Sequence, residues 1–154
     1  MIVGLAAPAI GVAGEEPDAP LAKIEPEVLV LLQAGKQAKV MIRVAAKNLV
    51  DQVNRETDAI YADPATDTAQ KKALNDAAYA RHRQRLSDLK RAVISDVAPG
   101  IDVVGQVPSG PEIIAIVSSL QALKDLVADP RIERVFLERR VSIATAAVRV
   151  VEPR

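Results

Sequence analysis

Residues 111–138, PEIIAIVSSLQALKDLVADPRIERVFLE, constrain the fold more than any other part of the chain, because almost all of them belong to a strand, a helix or a second strand. Residues 113–117 are a short β-branched apolar run, which is typical of a strand buried on both faces. Residues 132–137 have the period of a second strand. One helix between two strands cannot close a hydrophobic core, so the rest of the chain must supply the other half.

The helix between these two strands carries its own start and stop signals. Ser118, with Gln121 three residues later, predicts a capping box at its start. An apolar stripe at helical spacing then predicts one inward face, made of Leu120, Leu123, Leu126 and Val127. Asp129 precedes Pro130, and the helix should end there because the residue before a proline avoids the α region.

The preceding residues predict a longer half of the same domain. In chain order, we expect a strand over residues 39–46, helices over 48–62 and 67–96, a strand over 101–107 and a tight turn over 108–111. Asp67 and Gln70 predict a capping box for the long helix. This order predicts an α+β fold, a ferredoxin-like α/β sandwich whose four-stranded antiparallel sheet has its helices on one face, followed by an extended C-terminal tail.

Composition divides the chain into three parts. Residues 1–36 predict a signal remnant and a flexible linker, residues 37–138 a single domain, and residues 139–154 a tail. The apolar first 14 residues, with small residues at a possible cleavage site, favour a secreted or periplasmic protein, and an ordinary flexible N-terminus is the alternative. Within the linker, residues 27–33 are an apolar run that predicts one or two helical turns.

Charge and composition argue against several classes of function. The 20 basic and 20 acidic residues give a net charge of +0, so we expect no nucleic-acid partner and no membrane. The absence of cysteine and the single histidine, His82, leave no thiolate or multi-histidine metal site. No catalytic motif is found, so we expect no enzyme activity, no catalytic residue, no metal and no cofactor.

A basic run, RHRQRLSDLKR, lies on the predicted long helix at residues 81–91. As a general base, His82 would need an orienting acid and a cleft. We instead expect it to lie at the rim of this packed helix without a catalytic role. The five cationic residues of the run predict a solvated helix face rather than a binding patch, and they are Arg81, Arg83, Arg85, Lys90 and Arg91.

The sheet face without helices should be polar if the protein acts alone, yet its predicted side chains are partly apolar. In the third strand, Ile114 and Ile116 point to one face of the sheet, and the alternate residues that begin at Ile113 point to the other face. In the fourth strand, we expect Val135 and Leu137 to lie on the face opposite Ile132 and Phe136. Either residues 27–33 fold over this face or a partner does, because an uncovered apolar patch usually marks an interaction surface.

Residues 140–151, RVSIATAAVRVV, are small and β-branched and contain neither proline nor glycine. Such a segment is suited to being held extended as an added strand in the groove of another protein. A fifth edge strand or a frayed end are the alternatives.

Three parts follow one another in the chain, namely KVMIRVAA, the helical crossover and IDVVGQVPSGPEIIAIVSSLQALKDLVADPRIERVFLE. Their succession resembles the propeptides of subtilisin-like serine proteases and their free-standing inhibitor relatives. The closing part carries the resemblance, with a strand, a serine-capped helix, L-x-x-L, D-P, I-x-x-V-x-x-E and a hydrophobic tail. The resemblance covers about residues 37–145 and depends on a pattern of apolar positions.

The resemblance implies a protease inhibitor, or an intramolecular-chaperone-like module acting in trans, that is monomeric when free. The open sheet face, with Ile114 and Ile116, would pack on two surface helices of the protease, and Glu138 would cap the N-termini of those helices. The tail would enter the substrate cleft with residues Arg140, Val141, Ser142, Ile143, Ala144 and Thr145. Ala144 or Thr145 would lie nearest the specificity pocket.

The sequence also departs from that family. The crossover is longer than in compact bacterial propeptides, the tail continues past the supposed pocket residue, and the subtilase motifs D-T-G, H-G-T and G-T-S are nowhere in the chain. The main alternative is a dimerising or small-molecule-binding regulatory sandwich domain. A single-strand RNA-binding module shares the element order, but the third strand lacks the aromatic residues that such a module needs.

Overall fold

The structure is a computed structural model and describes residues 19–139, so the predicted signal remnant and most of the predicted tail lie outside it. It contains four α-helices and one four-stranded sheet. In chain order these are α1 (Pro26–Gln33), β1 (Ala38–Val44), α2 (Lys47–Ala62), α3 (Thr68–Ser95), β2 (Ile101–Gln106), β3 (Glu112–Val117), α4 (Leu120–Ala128) and β4 (Ile132–Leu137).

The sheet has the strand order β2-β3-β1-β4, and all neighbouring strands are antiparallel. Helices α2 and α3 connect β1 to β2, and α4 connects β3 to β4. The predicted α+β class with a four-stranded antiparallel sheet is therefore confirmed. The finer assignment to the ferredoxin-like arrangement stays a prediction.

Burial is one-sided along the two central strands. Every second residue of β1 and β3 is almost inaccessible to solvent, and these residues are Ala38, Val40, Ile42, Val44, Ile113, Ala115 and Val117. They form one cluster with buried side chains of α1, α3 and α4. The residues between them along each strand are partly or fully exposed. The core therefore lies between one face of the sheet and the helices.

The starts of the two capped helices test the sequence predictions closely. The predicted capping box of Asp67 and Gln70 is present at the start of α3. The predicted cap at Ser118 is wrong by one residue, since Ser119 accepts the hydrogen bond from the Ala122 amide at 3.1 Å. Ser118 instead extends the pairing beyond β3, because its amide donates to the Gly100 carbonyl at 2.9 Å.

A bulge in β4 corrects the predicted orientation of its first residue. Arg43 pairs with Arg134 and Val44 pairs with Ile132, so Glu133 is an extra residue in the ladder. Ile132 therefore lies on the same side as Val135 and both are buried, whereas the sequence period placed them on opposite faces.

The N-terminal boundary of the domain also differs from the prediction of a linker up to residue 36. Ile24, Val28 and Leu32 are buried in the core, and the Glu25 amide donates to the Val135 carbonyl at 2.8 Å. The helix predicted within residues 27–33 is present as α1, with Pro26 at its first turn. It packs on the buried side with α4, β1 and β4, so it does not fold over the open sheet face.

Lys90 corrects the prediction of a fully solvated basic face on α3. Its side chain is only 2% exposed, and its Nζ donates to the carbonyls of Val107 and Gly110 at 2.6 and 3.0 Å. These carbonyls belong to the turn between β2 and β3, so the ammonium group ties that turn to the helix. Burial lowers the pKa of Lys90 from its ordinary value of 10.5, opposed by the nearby charge of Glu112.

The burial of Val28 predicts that the N-terminal segment contributes to stability. Val28→Ala should lower the free energy of unfolding by about 2 kcal/mol, because it removes two buried methyl groups. Val30→Ala is the matched control, since Val30 lies on the same helix and is 64% exposed. Its effect should stay within about 0.5 kcal/mol. Urea unfolding measures both, and equal effects would mean that α1 is not packed.

The environment of Lys90 predicts a specific pH dependence of stability. Between its lowered pKa and 10.5, the unfolded chain binds more protons than the folded chain, so the free energy of unfolding should rise with pH in that interval. Lys90→Met should flatten this rise in urea unfolding at pH values approaching 10.5. Lys124→Met is the control, because it removes the same formal charge from an exposed position of α4. An equal flattening in both variants would contradict the prediction.

Candidate protein-docking face

The open face is the side of the sheet that points away from the helices. Cross-strand pairing defines it, because residues that pair directly in an antiparallel sheet point to the same side. Its side chains are Lys39, Met41, Arg43, Asp102, Glu112, Ile114, Ile116, Arg134 and Phe136. The predicted residues Ile114 and Ile116 are therefore both on this face and both partly exposed.

The centre of the open face is apolar. Met41 pairs with Ile114 on one side and with Phe136 on the other, which gives an apolar strip across three strands. Ile116 continues this strip toward β2, where it pairs with Asp102. None of the four apolar side chains belongs to the buried core cluster, and each is partly exposed to solvent. The strip is the kind of surface that another protein can cover.

Charged residues border the apolar strip and several of them are paired within the chain. Arg43 Nε lies 3.1 Å from Glu112 Oε1, and Arg43 Cζ lies 5.4 Å from the centroid of the Phe136 ring. This contact over the ring is a cation–π interaction, which holds the guanidinium against the apolar strip.

Glu138 follows directly after β4 and lies beside the start of β1. Its amide donates to the Lys39 carbonyl at 3.0 Å, and its Oε2 lies 2.6 Å from Lys39 Nζ. The Glu138 side chain is 19% exposed. To cap a partner helix, the Glu138 carboxylate would have to replace at least part of its contact with Lys39 by a contact with that helix.

Glu25 holds the last part of the described chain in place through Leu137 and Arg139. One Glu25 oxygen accepts from the Leu137 amide at 2.8 Å, and the other lies 2.6 Å from Arg139 Nη2. Arg139 also contacts Glu27 Oε2 at 3.2 Å. The predicted cleft residues Arg140, Val141, Ser142, Ile143, Ala144 and Thr145 lie outside the described residues.

Sequence reasoning missed several residues of the open face, namely Met41, Arg43, Arg134 and the contribution of Glu25. The alternation of β1 contained a signal for the first two, because Lys39, Met41 and Arg43 share one parity. Their juxtaposition with β4 depended on the pairing register of the two strands, which the sequence period does not supply.

Within residues 19–139, no group of three or more acidic or histidine side chains is placed to hold a metal ion, and no helix is long and apolar enough to cross a membrane. His82 lies in a small crevice between α2 and α3, away from the open face, and its buried Nδ1 has no hydrogen-bond partner among the described residues.

Comparison of this chain with protein-family models, with curated proteins and with solved structures finds no match. The geometry and chemistry of the open face are therefore the basis for inferring a function.

The contact between Lys39 and Glu138 predicts a modest coupling in the free protein. A double-mutant cycle with Lys39→Met and Glu138→Gln should give a coupling of about 0.2–1 kcal/mol in urea unfolding at low salt, because both side chains retain contact with water. The coupling should shrink at high salt. A coupling that does not change with salt would contradict the ionic nature of this pair.

Proposed function

We propose that this protein binds a subtilisin-like serine protease as an inhibitor or as a folding chaperone in trans. The open face docks on the surface of the enzyme, and residues 140–145 occupy the substrate cleft in an extended form. The domain adopts the ferredoxin-like arrangement in this proposal, and it contributes no catalytic chemistry of its own. The localisation that goes with this function is secreted or periplasmic.

The apolar strip of Met41, Ile114, Ile116 and Phe136 is the observation that carries the proposal. Antiparallel sheets with helices on one side commonly present polar residues to water on the other. Here the middle of that side is apolar, and α1 packs on the opposite side of the sheet. A partner surface that removes these side chains from water gains about 25 cal/mol per Å² of apolar area.

The size of the open face supports a role for the tail in the same interface. Four strands about 4.8 Å apart and about six residues long give a face of roughly 19 by 20 Å, or about 380 Å². A standard interface buries about 800 Å² on each partner. The flat outline of the face leaves room for a further contact, and in sequence residues 140–154 follow Arg139, which lies just beyond the edge strand β4.

The reach of the tail supports the proposed placement in the cleft. Arg139 is held at the edge of β4 by Glu25 and Glu27. From there to Thr145 is six residues, which span up to about 20 Å when extended. A substrate cleft within that distance of the docked face is accessible without rearrangement of the domain.

Inhibition measurements on the full chain test the proposal. The purified protein should inhibit at least one member of a panel of subtilisin-like proteases at micromolar concentration or below. Ile114→Glu should weaken inhibition by about tenfold or more, because it places a charge in the middle of the apolar strip. Val30→Glu is the matched control, since it makes the same change at an exposed site on α1.

Deletion of residues 140–154 provides a second measurement and keeps the contacts of Arg139. It should weaken inhibition by about 100-fold or more, which corresponds to about 2.7 kcal/mol of binding free energy. No inhibition of any panel member, or no loss of inhibition from either Ile114→Glu or the deletion, would contradict the proposal.

Light scattering tests the alternative of a dimerising sandwich domain. A wild-type dimer that dissociates with Ile114→Glu would support that alternative instead.

A further inference from the structure

Two arginines face each other on the open face. Arg43 of β1 and Arg134 of β4 are direct cross-strand partners, so both side chains leave the sheet on the same side. Like charges directly opposite each other in an antiparallel pair are destabilising. The free domain therefore tolerates an unfavourable arrangement at this position.

The two arginines differ in how their charges are balanced. Arg43 lies 3.1 Å from Glu112 and packs over the Phe136 ring. Arg134 is exposed and makes no ion pair with any residue in the range 19–139. Glu25 lines the same concavity as Arg134, and both of its carboxylate oxygens are already engaged by Leu137 and Arg139. Among residues 19–139, one guanidinium thus has no ion-pair partner beside a partly exposed apolar strip.

The surface at this point is a concavity with basic and apolar lining. A concavity of about 360 Å³ is lined by Glu25, Met41, Arg43, Arg134, Phe136, Leu137 and Arg139. Three guanidinium groups border it, and those of Arg43 and Arg139 already have carboxylate partners. Met41 and Phe136 supply the apolar wall. Guanidinium groups bind carboxylates through two parallel hydrogen bonds, and such pairs are stronger where apolar surroundings exclude water.

We propose that Arg134, assisted by Arg43, receives an aspartate or glutamate side chain of the docked protein. The carboxylate sits in the concavity while neighbouring apolar residues of the partner cover Met41 and Phe136. The identity of the partner as a protease rests on the proposed function, but the acidic chemistry of the contact follows from Arg43 and Arg134 themselves. The protein thereby selects, among surfaces with similar apolar patches, those that carry an acid at this position.

Stability measurements on the free chain form the first test. Arg134→Gln should leave Tm unchanged or raise it, because it removes the repulsion between the two arginines. Arg43→Gln should lower Tm, because it removes the contacts with Glu112 and Phe136. A clear fall of Tm in Arg134→Gln would assign this residue a structural role and overturn the proposal.

Binding measurements on the full chain form the second test. The probe is each panel protease with its catalytic serine replaced by alanine, so that binding is measured without cleavage and the substrate cleft stays open to residues 140–145. Arg134→Glu should raise Kd by about tenfold at about 50 mM salt and by much less at about 500 mM salt. Arg83→Glu, at an exposed position of α3, is the control and should change Kd by less than about twofold. Equal effects of the two variants would overturn the proposal.

A third measurement separates failure of this proposal from failure of the proposed function. If the wild-type chain binds no protease, the proposed function fails, and NMR then tests the acidic site directly. Millimolar glutarate should shift the Arg134 Nε–Hε signal more than that of Arg83, and the neutral glutaramide should shift neither. Equal shifts at Arg134 and Arg83 would overturn the acidic site, whereas a selective shift would retain it for a partner of another class.

Discussion

The alternating burial of β1 is the constraint on which the rest of the structure depends. This strand is hydrogen-bonded on both sides, and Val40, Ile42 and Val44 are almost completely removed from solvent. Because the side chains of a strand alternate with a period of two, a slip by one residue would turn two cationic side chains and Met41 into the core. Burial of unpaired cations is so unfavourable that the register is fixed, and the composition of the open face is fixed with it.

The elements of the fold were predictable where local signals agreed with one another. The Asp67 capping box, the leucine stripe of α4 and the break at Asp129-Pro130 each correspond to a feature of the structure. The cap at Ser118 was misplaced because two consecutive serines satisfy the same local pattern. Pairing with Gly100, which lies 18 residues away in sequence, decides between them.

The errors share one physical cause, which is contact between distant parts of the chain. The acidic and proline-rich composition of residues 15–26 indicated a linker, although the spacing of Ile24, Val28 and Leu32 already suggested an apolar stripe. Their burial depends on β4, more than a hundred residues later. For the candidate site, strand parity was enough to place Ile114 and Ile116 on the open face. The pairing of Arg43 with Arg134 depends on the register between β1 and β4, for which the sequence has no distinct signal.

The bond from the Leu137 amide to Glu25 joins residues 112 positions apart, and Ile24 forms a bridge with Val135 beside it. During synthesis, the N-terminal segment leaves the ribosome long before β4 exists, so its apolar side chains have no permanent site until the final strand is made. Closure of so long a loop delays the gain in contact energy and favours slow folding. The core is thus complete only once β4 has been made and the two ends of the domain have met.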